Sequence, residues 1–335
     1  MFGPSLLNES QRPTPADTLL TDGSSRLLRF IGDSDPRHAL PVLLIPSVIN
    51  RWYVLDLHPG SSMASALVEG GIDTYCLDWG ISGDEDRYLS WNDLVARLAR
   101  CVRRVRRLTG ADRVGLLGYC MGGTLTTIYT ALEPETVAAL VNLAGPIDFS
   151  KGGFLRELVD PRWFDADAIA DAGNVSALQM QSGFGALSPT GDMGKIIRRI
   201  DRMNDPVSTA RNDALEGWAA DNVPFPGAAY RTYIGSLYQG NDLCEGRHHV
   251  SGRRVELGDI TCPLLEVVTS RDAICPPPAA LALGDLVGSR DKEVLEIPGG
   301  HVGAVVGSKA GKILYPKLVS WFGEKLSAAS AAAAE

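Results

Sequence analysis

Apolar residues along this chain concentrate in short runs, some of them broken by a charged or polar residue, and the stretches between the runs carry helical spacing. The runs lie at residues 41–46, 72–77, 114–117, 137–143, 263–268 and 293–297. Runs this short, rich in Val, Leu and Ile, predict strands, several of them buried on both faces. Between the first two, residues 62–69 suit a helix. Trp91, Leu94, Val95, Leu98, Val102, Val105 and Leu108 then recur at helical spacing, with Arg97, Arg100, Arg103, Arg104 and Arg107 on the opposite side. This basic side reads as a solvated helix face, with a binding patch as the alternative. Strands alternating with helices predict an α/β fold, a mostly parallel sheet flanked by helices.

The rhythm breaks between residues 150 and 255, a stretch rich in Gly, Pro, Asp and Trp. It is expected to form a helical cap inserted into the core. Core thus divides into residues 1–149 and 256–327. The polar residues 1–35 are expected to form an N-terminal extension draped over it, and the Ala/Ser-rich tail at 328–335 is expected to be disordered. A last helix is expected near 312–326.

The 335 residues are 45% hydrophobic, enough for one large core with an insertion. A net charge of −8 argues against a nucleic-acid partner. No apolar run approaches the roughly 20 residues of a membrane span. The opening Met1-Phe2-Gly3-Pro4 lacks the basic start of a secretory signal. The six cysteines are scattered without C-x-x-C pairs, as expected of reduced thiols in a cytoplasmic protein. His248-His249 is the only local histidine cluster and has no Cys or His partner at ligand spacing, so no metal site is expected.

Gly118-Tyr119-Cys120-Met121-Gly122-Gly123 follows the apolar run at 114–117 and precedes a helix-compatible stretch. This is the form of the nucleophile elbow of α/β-hydrolases, with cysteine where serine usually stands. A helix starting at such a turn offers its N-terminal amides and dipole to a thiolate and to an oxyanion. Cysteine narrows the chemistry. An enzyme-bound thioester is nearly isoenergetic with a thioester substrate, so the acyl group stays activated for a second transfer.

A thiol nucleophile needs a base, and the base an orienting acid. In this fold they follow the nucleophile in the order acid, then histidine, on loops after later strands. Asp272 stands just after the predicted strand at 263–268, and His301 just after the one at 293–297. Of the five histidines only His301 is at the expected place. Asp148 is a rival acid, with a helix cap as its plainer reading. Asp78 reads as structural, and Cys275 as a small apolar filler. The oxyanion hole is expected to combine the amide of Met121 with that of Val48, or of the adjacent Ile49.

The chain resembles the polyhydroxyalkanoate synthases over roughly residues 40–325. The resemblance rests on Ile49-Asn50-Arg51 with the aromatic pair Trp52-Tyr53 and Leu55-Asp56-Leu57, on Tyr75-Cys76-Leu77-Asp78-Trp79-Gly80, and on the elbow itself. Tyr238-Gln239-Gly240-Asn241-Asp242-Leu243, Val255-Glu256-Leu257-Gly258-Asp259-Ile260, Asp272-Ala273-Ile274-Cys275-Pro276 and Gly300-His301-Val302-Gly303 complete it. The short N-terminal region resembles the small-subunit classes. The resemblance implies a (3R)-hydroxyacyl-CoA substrate, a growing polyester chain at a granule surface, a homodimer formed through the cap and a second, non-catalytic subunit. It implies Cys120, His301 and Asp272 as a catalytic triad and no cofactor beyond the coenzyme A thioester substrate. Two other functions stay open: a cysteine-dependent thioesterase or esterase, and a non-catalytic relative that binds a partner or a granule.

Overall fold

The computed structural model describes residues 12–186 and 206–334. Eight strands form one sheet: β1 (Ala16–Asp22), β2 (Ser25–Phe30), β3 (Val42–Ile45), β4 (Thr74–Asp78), β5 (Val114–Tyr119), β6 (Val137–Leu143), β7 (Leu264–Thr269) and β8 (Lys292–Ile297). Their order across the sheet is β1-β2-β4-β3-β5-β6-β7-β8. From β4 to β8 every neighbouring pair is parallel, whereas β1 and β2 join antiparallel at one edge. The parallel strands need crossovers, and helices supply them: α1 (Met63–Glu69), α2 (Trp91–Thr109) and α3 (Met121–Leu132) in the first half.

Strand alternation divides the core between the two faces of the sheet. Leu43, Ile45, Leu116 and Leu140 pack on the side of α2 and α3. Val42, Leu44, Leu117 and Val141 pack on the other side, with α1 and the last helix. Strands buried on both faces explain why they read as unbroken apolar runs.

The N-terminal expectation is corrected by β1 and β2. Residues 16–30 do not drape over the core but extend its sheet as a hairpin. The hairpin is fastened by charge. Arg26 pairs with Asp78 at 2.8 Å, at the end of β4. On α2, Arg97 lies 3.9 Å from Asp22, Arg100 pairs with the same carboxylate, and Arg104 donates to the Leu19 carbonyl. Three of the five arginines therefore hold the hairpin, and Arg103 and Arg107 are exposed. Residues 1–11 of the expected extension lie outside the described residues.

Between β6 and β7 the chain leaves the sheet. It forms α4 (Gly153–Leu158), α5 (Ala166–Asp171), α6 (Ala177–Ala186), α7 (Pro206–Ala220) and α8 (Gly227–Arg231), which runs into a π-helix at Thr232–Gln239. The main sheet takes no strand from the described residues of this segment. After β7 come α9 (Pro277–Leu286), α10 (Gly303–Val306) and α11 (Tyr315–Ala334). The Ala/Ser tail, expected to be disordered from residue 328, continues α11 as helix to Ala334. Alanine has the highest helix propensity of any residue, and Trp321 and Phe322 anchor the helix in the core.

Candidate active site

Strand β5 ends at Tyr119 and α3 begins at Met121, so Cys120 occupies the whole turn. Its backbone has φ 56° and ψ −125°, a conformation that side-chain-bearing residues rarely adopt. Such strain costs about 1–3 kcal/mol and persists only where the surroundings impose it. The surroundings here are close backbone contacts. A Cβ on Gly122 would lie 1.9 Å from the Ile45 carbonyl oxygen, and one on Gly118 would lie 2.3 Å from that of Gly122. Gly122→Ala is expected to destabilise the protein by about 3 kcal/mol, because backbone cannot swing aside as a side chain can. Urea unfolding measures this directly.

Asp272 and His301 come together behind the elbow. Asp272 follows β7, and His301 lies in the loop between β8 and α10. The Nδ1 of His301 is 2.7 Å from Oδ2 of Asp272. Oδ2 also accepts from the Thr269 hydroxyl at 3.2 Å, while Oδ1 accepts from the amides of Ile274 at 2.9 Å and Cys275 at 2.8 Å. Four donors thus pin one buried carboxylate and fix its rotamer. Nδ1 therefore carries the proton that Asp272 accepts, which leaves Nε2 as the basic nitrogen. Nε2 is buried and, with Nδ1 taken by Asp272, is the nitrogen left to meet the neighbouring Cys120 side chain.

Burial by itself would push the imidazole pKa down. Once the ring has taken the Cys120 proton, the thiolate left on Cys120 and the Asp272 carboxylate outweigh that and raise the pKa to about 10, so the imidazolium is held in an ion pair. Tyr119 adds a wall. Its ring stacks on His301 with centroids 5.2 Å apart and planes 26° apart. Strand alternation puts Tyr119 on the same face as Leu117, toward the α10 side, but the sequence carries no sign that His301 would meet it there.

The rival acid has other partners. Asp148 accepts from the amide and hydroxyl of Ser150 and from the Asn241 side chain, and pairs with Lys151 at 3.0 Å. It caps a turn. Asp78 serves the hairpin through Arg26 and accepts from the Gly80 amide. Cys275 is buried, with burial raising its thiol pKa well above the ordinary value, and it contributes its amide to Asp272. All six cysteines are unpaired. Of the other histidines, His38 and His58 bond near the surface and His249 is exposed. Burial lowers His248 to about 4, so it is neutral.

Cys120 opens into a cavity of about 570 Å³, bordered on its core side by Ile49 and Met121 and on its outer side by the segment between β6 and β7. Phe164, Phe225, Tyr230, Tyr233 and Tyr238 supply most of its aromatic wall. This volume suits a small organic ligand, and the apolar lining suits an acyl chain rather than a charged one. Two other aromatics of this segment stay off the cavity: Trp163 is exposed, and Trp218 is buried elsewhere. Val48 and Ile49 are both buried in the turn after β3. Ile49 borders the cavity.

Among the described residues no group of three or more His, Cys, Asp or Glu side chains could hold a metal ion. No described helix is long and apolar enough to cross a membrane.

Residues 41–308 match the family model for the α/β hydrolase fold, and residues 14–67 match that for the N-terminus of poly-beta-hydroxybutyrate polymerase. Solved structures agree on the fold. A provisionally assigned lipase from Sulfolobus solfataricus superposes with a TM-score of 0.62 at 13% identity, covering 92% of this chain and 93% of that one. A proline iminopeptidase from Mycobacterium smegmatis gives 0.53 at 14% identity, covering 94% of this chain and 100% of that one. The poly(3-hydroxyalkanoate) polymerase subunit PhaC of Allochromatium vinosum is 33% identical over 292 residues, which is 85% of this chain and 81% of that protein. The chain belongs to the poly(3-hydroxyalkanoate) polymerase family.

The subunit of the same name from Synechocystis is 30% identical, covering 93% of this chain and 85% of that protein. That of Haloferax mediterranei is 33% identical, and there the chain spans 93% of its own length but 64% of the relative's. The polymerase-family N-terminal match includes Thr14, Asp56 and Ser62, which form one buried cluster. Asp56 accepts from the Thr14 amide at 3.2 Å, the Thr14 hydroxyl at 2.8 Å and the Ser62 hydroxyl at 2.5 Å. The Leu-Asp-Leu motif thus ties the start of the described chain to the core, a structural role that the motif alone does not reveal.

Proposed function

We propose that this protein is an acyltransferase that polymerises (3R)-hydroxyacyl-CoA into polyester and releases coenzyme A. The observation that carries the reading is a cysteine on a strained elbow that opens into an apolar cavity, with an Asp272–His301 pair behind it. Family membership gives the reaction class.

In the first half-reaction His301 takes the Cys120 proton, and the sulfur attacks the thioester carbonyl. The oxyanion rests on the Met121 amide and on an amide of the turn after β3, Ile49 or Val48. The carbon–sulfur bond to coenzyme A breaks, His301 returns the proton to the departing thiolate, and an acyl-cysteine remains. In the second, His301 takes the proton of an incoming 3-hydroxyl, whose oxygen attacks the acyl-cysteine. The ester bond forms and Cys120 is released. Asp272 holds the imidazole in the required tautomer and stabilises its cation. Neither half-reaction calls for a metal or redox cofactor.

Water would end the cycle by hydrolysing the acyl-enzyme, so the segment at 150–255 acts as a cap that keeps the cavity dry. On this reading the protein works in the cytoplasm at the surface of a polyester granule, as a homodimer and alongside a second subunit; the relatives are themselves named as subunits. The test is incubation with (3R)-hydroxybutyryl-CoA and with a longer-chain analogue, following coenzyme A release and product mass together. Release with high-mass polyester is the expected outcome. Release with free hydroxy acid alone would make the protein a thioesterase, and no release from either substrate, with the second subunit supplied, would remove the catalytic reading.

A further inference from the structure

The turn that follows β3 is gripped from the cap side by a single short segment. Four hydrogen bonds join residues 218–223 to residues 49–53: the Val223 amide donates to the Ile49 carbonyl at 3.3 Å, the Asn50 side-chain amide to Asn222 Oδ1 at 2.6 Å, the Trp218 indole to the Arg51 carbonyl at 2.8 Å, and the Tyr53 hydroxyl to Asp221 Oδ2 at 2.6 Å. Arg51 adds its charge, 3.8 Å from Asp221. On the core side the turn is held at its start, where the Trp79 indole donates to the Pro46 carbonyl at 3.0 Å. The two candidate oxyanion residues, Val48 and Ile49, therefore sit between a core anchor and a cap anchor.

The same segment leads directly into the cavity wall. Phe225 borders the cavity and pairs through its backbone with Val175, another cavity residue, at 2.9 Å in both directions. One strip of chain thus touches both the roof over the substrate and the turn that would hold the oxyanion.

We infer that Asp221 and Asn222 are positioning residues for acyl transfer: they hold the turn at 47–51 so that its amide faces the developing oxyanion when the cap is seated. The inference rests on the acyl-cysteine reading proposed above. Its physical basis is the sensitivity of such transfer to placement. A donor displaced by about 1 Å can lose a factor of about 100 in rate. Hydrogen bonds between buried or half-buried groups hold a turn to that tolerance better than packing alone.

The test compares two reactions of the same sulfur. Acylation by a thioester passes through an oxyanion, whereas alkylation by iodoacetamide does not. In Asn222→Ala and in Tyr53→Phe, kcat for acylation by (3R)-hydroxybutyryl-CoA is expected to fall about 10- to 100-fold, with KM changed less than about twofold and the rate of Cys120 alkylation unchanged. Asn222→Asp keeps an acceptor for Asn50 and is expected to recover most of the lost rate. Tyr53→Phe removes one hydroxyl and keeps the ring, so it guards against a variant that merely fails to fold. If acylation and alkylation fall together, the segment only supports the fold or the triad, and the inference is overturned. If neither falls, it is overturned as well. Wild-type protein that alkylates but is acylated by no thioester would instead remove the acyl-cysteine reading, and the inference with it.

Discussion

Cys120→Ala is expected to reduce coenzyme A release by roughly four orders of magnitude or more, to the rate of the uncatalysed reaction. The acyl group has nowhere else to go. Of the other thiols, Cys275 lies near the site, and burial keeps it, like Cys76, Cys101 and Cys262, protonated. Cys120→Ser separates nucleophilicity from position. Its hydroxyl would occupy the same strained turn, but an oxygen ester is a poorer acyl donor than a thioester. Turnover is therefore expected to stay strongly impaired, with any acyl adduct accumulating rather than passing to a second hydroxyl. Intact-protein mass spectrometry after exposure to substrate reads both: no adduct for alanine, and a slow, persistent one for serine. Full activity in the alanine variant would sink the assignment of the nucleophile.

Asp272→Asn is expected to lower kcat by about 100- to 10,000-fold while leaving the fold intact. The amide oxygen can keep the bonds from the Ile274 and Cys275 amides at the Oδ1 position, and its NH₂ would then stand at the Oδ2 position, facing Nδ1 and the Thr269 hydroxyl. The imidazole would turn to the other tautomer, with its proton on Nε2 and its lone pair away from Cys120. A second readout follows from charge. Asp272 favours the protonated imidazole, so its negative charge helps raise the His301 pKa to about 10. Removing that charge must move the pKa down, so proton loss from His301 is expected at lower pH in the variant. Imidazole NMR with labelled histidine measures the midpoint. An unchanged midpoint would mean that Asp272 neither touches nor polarises the ring in solution.

Much of this protein is legible from local pattern. Strands buried on both faces are mostly apolar, so β3, β5, β6 and β7 stand out as stretches rich in Val and Leu. The elbow is legible because only glycine tolerates backbone at 1.9–2.3 Å from the position of its missing Cβ. The order Cys120, Asp272, His301 is legible because successive parallel strands end on the same edge of the sheet, which brings the loops after β5, β7 and β8 together. The amphipathic helix α2 follows from its spacing and from the Ser90–Asp93 capping box.

What local pattern leaves open depends on partners distant in sequence. The hairpin at 16–30 reads as polar because an edge strand buries only part of its surface, and its attachment comes from arginines on α2 that lie 75 to 85 residues away. Asp148 and Asp272 both follow strands. Only their neighbours distinguish them: Lys151 and Asn241 around one, His301 around the other. The stacking of Tyr119 on His301, the cavity over Cys120 and the grip of Asp221 and Asn222 on the turn after β3 join segments separated by more than a hundred residues. No period or propensity encodes such contacts. They exist because the sheet brings its loops to one edge and the cap folds back over it, so the sequence by itself determined the strands, the elbow and the order of the reactive side chains, and the tertiary structure alone decided which of them meet.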